Sequence, residues 1–338
     1  MSKVTRLDYC QFLLVSQTNY TLTYFAEHSA GFSHDAVKRY LEQDKLTARL
    51  VWENVRGQVV SSEQGYLAFD DTVLDHDSSF KIDLVRRQYS GNVHEVIKGS
   101  GVVTCVYIKP DTDQFWIIDY RIYDPQRDGK SKLDHVRDML NNALTDKGLP
   151  FRGVLMDCWY AERKLMLHIE RLNKVYYCPL KDNRQVDETG GERGYQRVDS
   201  LNWTESQAQH GKILHIKDFP KDHQVKLFRL VLSTKRTDYI ATNDMAQDST
   251  QVTQDGCGLR WKIEQFHRET KQTTGLEGCQ CRLARIQRNH IACAILVWVR
   301  LKQVAQQTAS TIYNLKQGLL DDYMRFQLRS PAIQMQLA

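Results

Sequence analysis

Gly101-Val102-Val103-Thr104-Cys105-Val106-Tyr107-Ile108 and Gln114-Phe115-Trp116-Ile117-Ile118-Asp119-Tyr120-Arg121-Ile122-Tyr123 are the two runs on which the fold turns. Both are rich in β-branched and aromatic residues, whose side chains fit a pleated surface. Pro110-Asp111-Thr112-Asp113 between them is a turn signal, so the pair reads as an antiparallel hairpin. Upstream, Tyr66-Leu67-Ala68-Phe69-Asp70-Asp71 reads as another strand. Downstream, a helix is expected over 131–147 and a short buried strand over Gly153-Val154-Leu155-Met156-Asp157. A second helix over 160–172 and a strand over Val175-Tyr176-Tyr177-Cys178-Pro179-Leu180 follow.

Three strands, helix, strand, helix, strand is the order of the ribonuclease H-like fold, a mixed α/β architecture. Residues 185–245 interrupt it. They hold strand-like pieces, Lys212–Ile216 and Val225–Leu232, and read as an inserted β-rich subdomain. From Gly256 the chain is helical again, with strong periodicity over 284–302. The first sixty residues also look helical. Ser33 is a good N-cap, and Ala36, Val37, Tyr40 and Leu41 form one apolar stripe behind a turn at Gly31. Two short helices about such a turn fit a helix-turn-helix, with Lys38 and Arg39 on the open face as candidate DNA contacts. The expected division is an all-helical domain over 1–60 and a ribonuclease H-like domain over 61–184 and 246–306. The β-rich insertion covers 185–245 and a C-terminal helical tail 307–338.

Composition narrows the classes. The formal net charge is only +5, but the segment Gly256–Lys302 carries nine Lys/Arg against three Glu, a distribution suited to phosphate contact. The eight cysteines show no Cys-x2-Cys spacing, which argues against a zinc site and for free thiols in a reducing compartment. The longest apolar run, Ile291–Val299, is about half the ~20 residues that span a bilayer. The N-terminus lacks a signal-peptide core. The reading is a cytoplasmic protein with no membrane segment. No Gly-x4-Gly-Lys-Ser/Thr loop is present, so no nucleotide cofactor is expected.

Candidate chemistry sits on carboxylates. Asp71 and Asp157 end predicted strands, where an acid can hold a metal above a sheet edge; singly, each is as well explained by a turn or an N-cap. The sharper element is Gly258-Leu259-Arg260-Trp261-Lys262-Ile263-Glu264-Gln265-Phe266-His267-Arg268-Glu269-Thr270-Lys271. At about 100° per residue, Arg260, Glu264, His267 and Lys271 share one face. Leu259, Ile263 and Phe266 make the adjoining apolar stripe. An ion-paired solvated face is the bland explanation, though Arg four before Glu is the less favourable order for such a pair.

The Arg260, Glu264, Lys271 spacing, R-x3-E-x6-K, resembles the YREK signature of DDE-type bacterial insertion-sequence transposases. Asp71-Thr72 is similar to that family's first catalytic Asp, and Leu155-Met156-Asp157-Cys158-Trp159-Tyr160 to its second. The resemblance covers about residues 20–305. The signature's Tyr falls at Cys257, which cannot supply a phenolic hydrogen bond. Asp70 and Asp71 point to opposite faces of their strand, and Asp71 is taken because it precedes Thr72.

The resemblance implies a transposase that cuts an insertion sequence at its ends and joins the 3′-OH ends to target DNA, often through a hairpin. It implies Asp71, Asp157 and Glu264 as catalytic residues and ligands of two Mg²⁺ or Mn²⁺ ions, with Arg260 and Lys271 on phosphates. Trp261 is a candidate stacking partner for a displaced base. The implied partners are double-stranded DNA, as terminal inverted repeats and as target, and a second copy of the chain. Nucleoid association follows when DNA is bound. Two rivals remain at this point: a nuclease of the same fold that cuts without joining, and a non-catalytic DNA-binding regulator.

Overall fold

The computed structural model describes residues 3–76, 81–91, 93–234 and 236–334. Helices α1 (Arg6–Val15), α2 (Leu22–His28), α3 (His34–Gln43) and α4 (Ala48–Val55) precede strand β1 (Tyr66–Asp75). Strands β2 (Arg86–Ser90), β3 (Glu95–Lys109) and β4 (Gln114–Ile122) follow, then helices α5 (Pro125–Asp128) and α6 (Lys132–Thr145). Next come β5 (Gly153–Leu155), α7 (Arg163–Arg171) and β6 (Val175–Leu180). The stretch after β6 forms β7 (Gln185–Asp187), β8 (Gln196–Arg197), α8 (Glu205–His210), β9 (Lys212–Ile216), β10 (Val225–Ser233) and β11 (Arg236–Thr242). Helices α9 (Thr250–Gly258), α10 (Trp261–Thr274), α11 (Ala284–Gln307) and α12 (Ile312–Arg329) complete the chain.

Two compact units emerge. One comprises 58–71 and 102–265, and the other 1–57, 72–101 and 266–338. The first is built on a sheet that runs β3-β1-β5-β6-β11-β10-β9-β7-β8, with β4 paired to β3 off this path. β3 and β4 pair antiparallel from Val102↔Ile122 to Lys109↔Gln114, the hairpin read from the sequence. β1 pairs parallel with β5 (Tyr66↔Gly153), and β5 pairs parallel with β6 (Gly153↔Val175). Hairpin, central strand, then two parallel strands reached through helices is the ribonuclease H-like arrangement. Gly65, just before β1, has no room for a Cβ: one built there would lie 2.4 Å from the Tyr107 hydroxyl. That hydroxyl accepts from Ser62 N–H at 2.7 Å and pins the entry to β1.

Two local differences from the sequence reading have clear causes. The expected helix over 160–172 begins at Arg163, because Asp157 Oδ1 accepts from the N–H groups of Trp159 (2.9 Å) and Tyr160 (3.2 Å) and holds a loop there. The expected β-rich insertion continues the main sheet, since β11 pairs antiparallel with β6 (Tyr239↔Leu180). Its strands therefore bury against the same core.

The second unit is helical around α11. α1, α3, α4 and α12 all pack on it. The buried Asn289 is fully satisfied: its Nδ2 donates to Leu41 O and Asp44 O at 2.7 Å, and its Oδ1 accepts from Leu46 N–H at 2.9 Å. α2 and α3 pack together about Gly31, whose φ of +107° is a conformation suited to glycine. Ser33 caps α3, its hydroxyl accepting from Ala36 N–H. The helical pair is thus as read from the sequence, although the first 57 residues share a core with the C-terminal helices. No helix among the described residues is long and apolar enough to cross a membrane.

Candidate active site

The polar centre of the sheet unit lies midway along β1 and just past the end of β5; the strand that the sequence reading ended at Asp71 runs on to Asp75. β1 is buried from Tyr66 to Phe69, half-buried at Asp70 and Asp71, and buried again from Thr72 to Leu74. Alternation along the strand separates these two acids. Asp71 Oδ2 accepts from Lys132 Nζ at 2.5 Å and its Oδ1 from the Tyr160 hydroxyl at 2.7 Å. Both partners are largely buried, and burial followed by the Asp71 charge raises the Tyr160 phenol far above its ordinary range. The Lys132 ammonium also lies 5.5 Å from the Tyr123 ring centre and 5.8 Å from that of Trp159, so three elements converge on Asp71.

Asp70 is placed differently. Its Oδ2 lies 3.5 Å from Arg260 Nη1, and Arg260 Nη2 pairs with Glu264. One guanidinium therefore joins Asp70 to Glu264. Burial, and next the neighbouring Asp157 charge, push the Asp70 carboxyl up to about 8, against the pull of Arg260. Burial also raises Asp157, partly offset by the Trp159 and Tyr160 N–H groups it accepts from. Asp70 is thus raised by its Asp157 neighbour and linked through Arg260 to Glu264, a setting in which a bound cation would relieve the buried acid.

The helix expected to run through Gly258–Lys271 is broken. α9 ends at Gly258, and α10 starts at Trp261, immediately after Arg260. Arg260 and Glu264 form the ion pair that their order made less favourable, because Asp70 supplies a second acid to the same guanidinium. Trp261 is 51% exposed. Ile263 is buried, as the apolar stripe required. Cys257 takes the place of the signature's Tyr in α9, and burial pushes its thiol up to about 12, so it is an inert thiol at neutral pH.

Lys271 and His267 belong to the helical unit. There Lys271 Nζ donates to Val73 O and pairs with Glu277, both at 2.8 Å, while His267 is buried. Lys38 pairs with Glu42 at 3.5 Å on the outer face of α3, and Arg39 beside it is exposed.

Sequence reasoning missed Lys132 and Tyr160. Lys132 follows the capping residue Ser131, a position that carries no signal for a partner 61 residues away. Tyr160 stands three residues after Asp157, inside what reads as the start of a helix.

The donor set of Asp70, Asp157 and Glu264 consists of hard carboxylate oxygens, which suit Mg²⁺ or Mn²⁺. Among the described residues, no group of three or more acids, histidines or cysteines is placed so that it could hold a metal ion. The cluster nevertheless fits a divalent ion chemically, with Arg260 bridging two of its acids.

Acids on the central strand β1, just past β5 and on α10 of a ribonuclease H-like unit suit a nuclease-type site. The chain belongs to the DDE superfamily endonucleases, whose family model matches residues 5–237. The match stops short of Arg260 and Glu264. No curated protein matches the chain in sequence. Among solved structures, a piggyBac transposase synaptic complex with hairpin DNA is 12% identical with a TM-score of 0.47, over 99% of this chain and 76% of that one. A Drosophila P element transposase strand transfer complex is 11% identical with a TM-score of 0.31, over 98% and 88%. An endonuclease V from Ciona intestinalis in complex with DNA is 12% identical with a TM-score of 0.28, over 81% and 100%.

Proposed function

We propose that the protein is a DNA transposase that cuts an insertion sequence at its ends and joins the freed 3′-OH ends to target DNA. The observation that carries this reading is Arg260 joining Asp70 to Glu264, with the Asp157 charge raising Asp70, in a chain of the DDE endonuclease family. These acids are the residues that would hold divalent cations, two Mg²⁺ or Mn²⁺ ions in this reading. Bound there, such ions supply an activated water and stabilise the leaving 3′ oxygen.

Asp71 is the first ligand expected from the resemblance, but here each of its oxygens accepts a hydrogen bond, one from Lys132 and one from Tyr160. We therefore assign the ligand role to Asp70 and a positioning role to Asp71. Arg260, released from the acids, is the residue to meet a phosphate beside the cut. Trp261 offers an exposed aromatic face to DNA, and Lys38 and Arg39 a basic helix surface. Lys271 would have to leave Glu277 to do the same. The substrate is double-stranded DNA, two ends held by two copies of the chain, in the cytoplasm at the nucleoid.

The test is a duplex carrying the inverted repeat that flanks the gene, with Mg²⁺ or Mn²⁺ and a target plasmid. The wild-type protein is expected to nick the end and join it. Asp157→Ala should lose cleavage while binding the end nearly as before. Cutting without joining would leave a nuclease; EDTA-insensitive binding with no cleavage in any metal would leave a regulator.

A further inference from the structure

Beyond the acid cluster, the sheet unit holds a cavity of about 600 Å³ that begins at Cys158 and Trp159, one and two residues past Asp157. That volume lies in the range of pockets that enclose a small ligand. Four cations line it: Arg163, Lys181, Arg184 and Lys217. Two carboxylates, Glu162 and Asp218, oppose them, and Glu162 is already engaged in capping α7 through Leu165 N–H. None of the four cations pairs with a carboxylate among the described residues. The Arg184 guanidinium lies 6.0 Å from the Phe219 ring centre, and its buried Nε has no partner among the described residues. Trp159 is 48% exposed, and its backbone N–H is fixed by Asp157 Oδ1.

An exposed indole beside unpaired cations suits a ligand that has both a flat π face and a negative charge. A peptide acid lacks the first, and a duplex keeps its bases stacked away from the indole. An unpaired nucleotide offers both: its base stacks on an aromatic ring in a sequence-tolerant way, and its phosphate accepts from guanidinium and ammonium groups. We propose that this pocket receives an unpaired nucleotide of the DNA strand leaving the Asp157 site, base against Trp159 and phosphate toward Arg184 and Lys181. The proposal rests on the DNA-cutting reading for its source of the strand, but its binding step needs no metal.

The experiment uses the full chain in EDTA with short fluorescent oligo(dT), a duplex of equal length, and poly-glutamate as competitor. Trp159→Ala should weaken oligo(dT) binding by about tenfold, and Trp159→Phe should restore most of it. Joint replacement of the exposed Lys181 and Lys217 by Ala should lower the salt slope by roughly 0.7 for each phosphate no longer neutralised, with the fold untouched. Unchanged binding in both variants overturns the proposal, as does displacement by poly-glutamate as effective as by oligo(dT). Loss of oligo(dT) binding in a protein that cleaves no DNA would keep the pocket and remove the transposase reading. Cleavage with undiminished binding by Trp159→Ala would do the reverse.

Discussion

Two buried polar sites, one in each unit, are treated in opposite ways: the pair His290 and Asn289, and the acids around Arg260. In the helical unit His290 is fully buried, yet its Nε2 lies 2.9 Å from Gly275 O and its Nδ1 2.8 Å from the Tyr9 hydroxyl. One neutral tautomer satisfies both partners, Nε2–H donating and Nδ1 accepting. Asn289 beside it uses its carbonyl and both amide hydrogens. In the sheet unit Asp70 and Glu264 share one guanidinium, and Asp70, with the Asp157 charge also near it, is pushed up to about 8. A satisfied network specifies a fold, whereas an under-compensated one is expensive to keep and marks a place where something charged binds. Asp71 shows that both can stand one residue apart, because Lys132 and Tyr160 each donate to one of its oxygens.

The largest expected effect breaks that contrast between neighbours. Asp70→Asn should lower metal-dependent cleavage by about a thousandfold, roughly 4 kcal/mol of barrier, while hardly lowering thermal stability. Asp71→Asn should do the opposite. It weakens a mostly buried ion pair with Lys132, at a cost of up to about 3 kcal/mol of stability, and leaves cleavage per folded molecule within about tenfold. Parallel melting curves and single-turnover cleavage rates decide. A dead but stable Asp71→Asn protein would return the ligand role to Asp71.

This pair also marks how far the sequence can be read. The hairpin at 101–123, the strand order and the α3 cap were legible because β-branched runs, turn residues and N-caps act locally. Glu264 and Asp157 stand out in the sequence as candidates through spacing and strand-end position. Which of Asp70 and Asp71 reaches Arg260 was not legible, because strand alternation separates the two without saying which face Arg260 occupies. That depends on Lys132, Tyr160 and Arg260, at separations of 61, 89 and 190 residues. The break before α10 was hidden for a similar reason: Arg260 is drawn to Asp70 by a tertiary interaction that helical periodicity does not register.

The next effect concerns the satisfied network. Burial lowers His290 to about 4 in the folded chain, while the unfolded imidazole titrates near its ordinary value of about 6.5. Between those values the unfolded state carries the extra proton. Stability from this group is therefore present at pH 7 and lost as pH falls from 6.5 toward 4, by about 3 kcal/mol in total. His290→Gln keeps a donor for Gly275 O and an acceptor for Tyr9, and should flatten that part of the profile. Urea midpoints at pH 7 and pH 5 check it. An equal acid loss in wild type and variant would assign the sensitivity to other groups.

The smallest effect sharpens the contrast at Asp71. The Tyr160 hydroxyl is one of two groups that hold this carboxylate, so Tyr160→Phe removes a hydrogen bond to a charged acceptor without creating a large cavity. The expected loss is about 1–2 kcal/mol of stability. If Asp71 only positions the loop that carries Asp157, Asp157 still keeps its bonds to the Trp159 and Tyr160 N–H groups, and Asp70 still faces it. The Mn²⁺ concentration for half-maximal cleavage should then stay within about twofold, with a modest fall in maximal rate from a looser loop. Were Asp71 itself a ligand, freeing its Oδ1 from Tyr160 would instead move that Mn²⁺ concentration directly. A titration of Tyr160→Phe therefore separates positioning from ligation even if Asp71→Asn proves too unstable to assay.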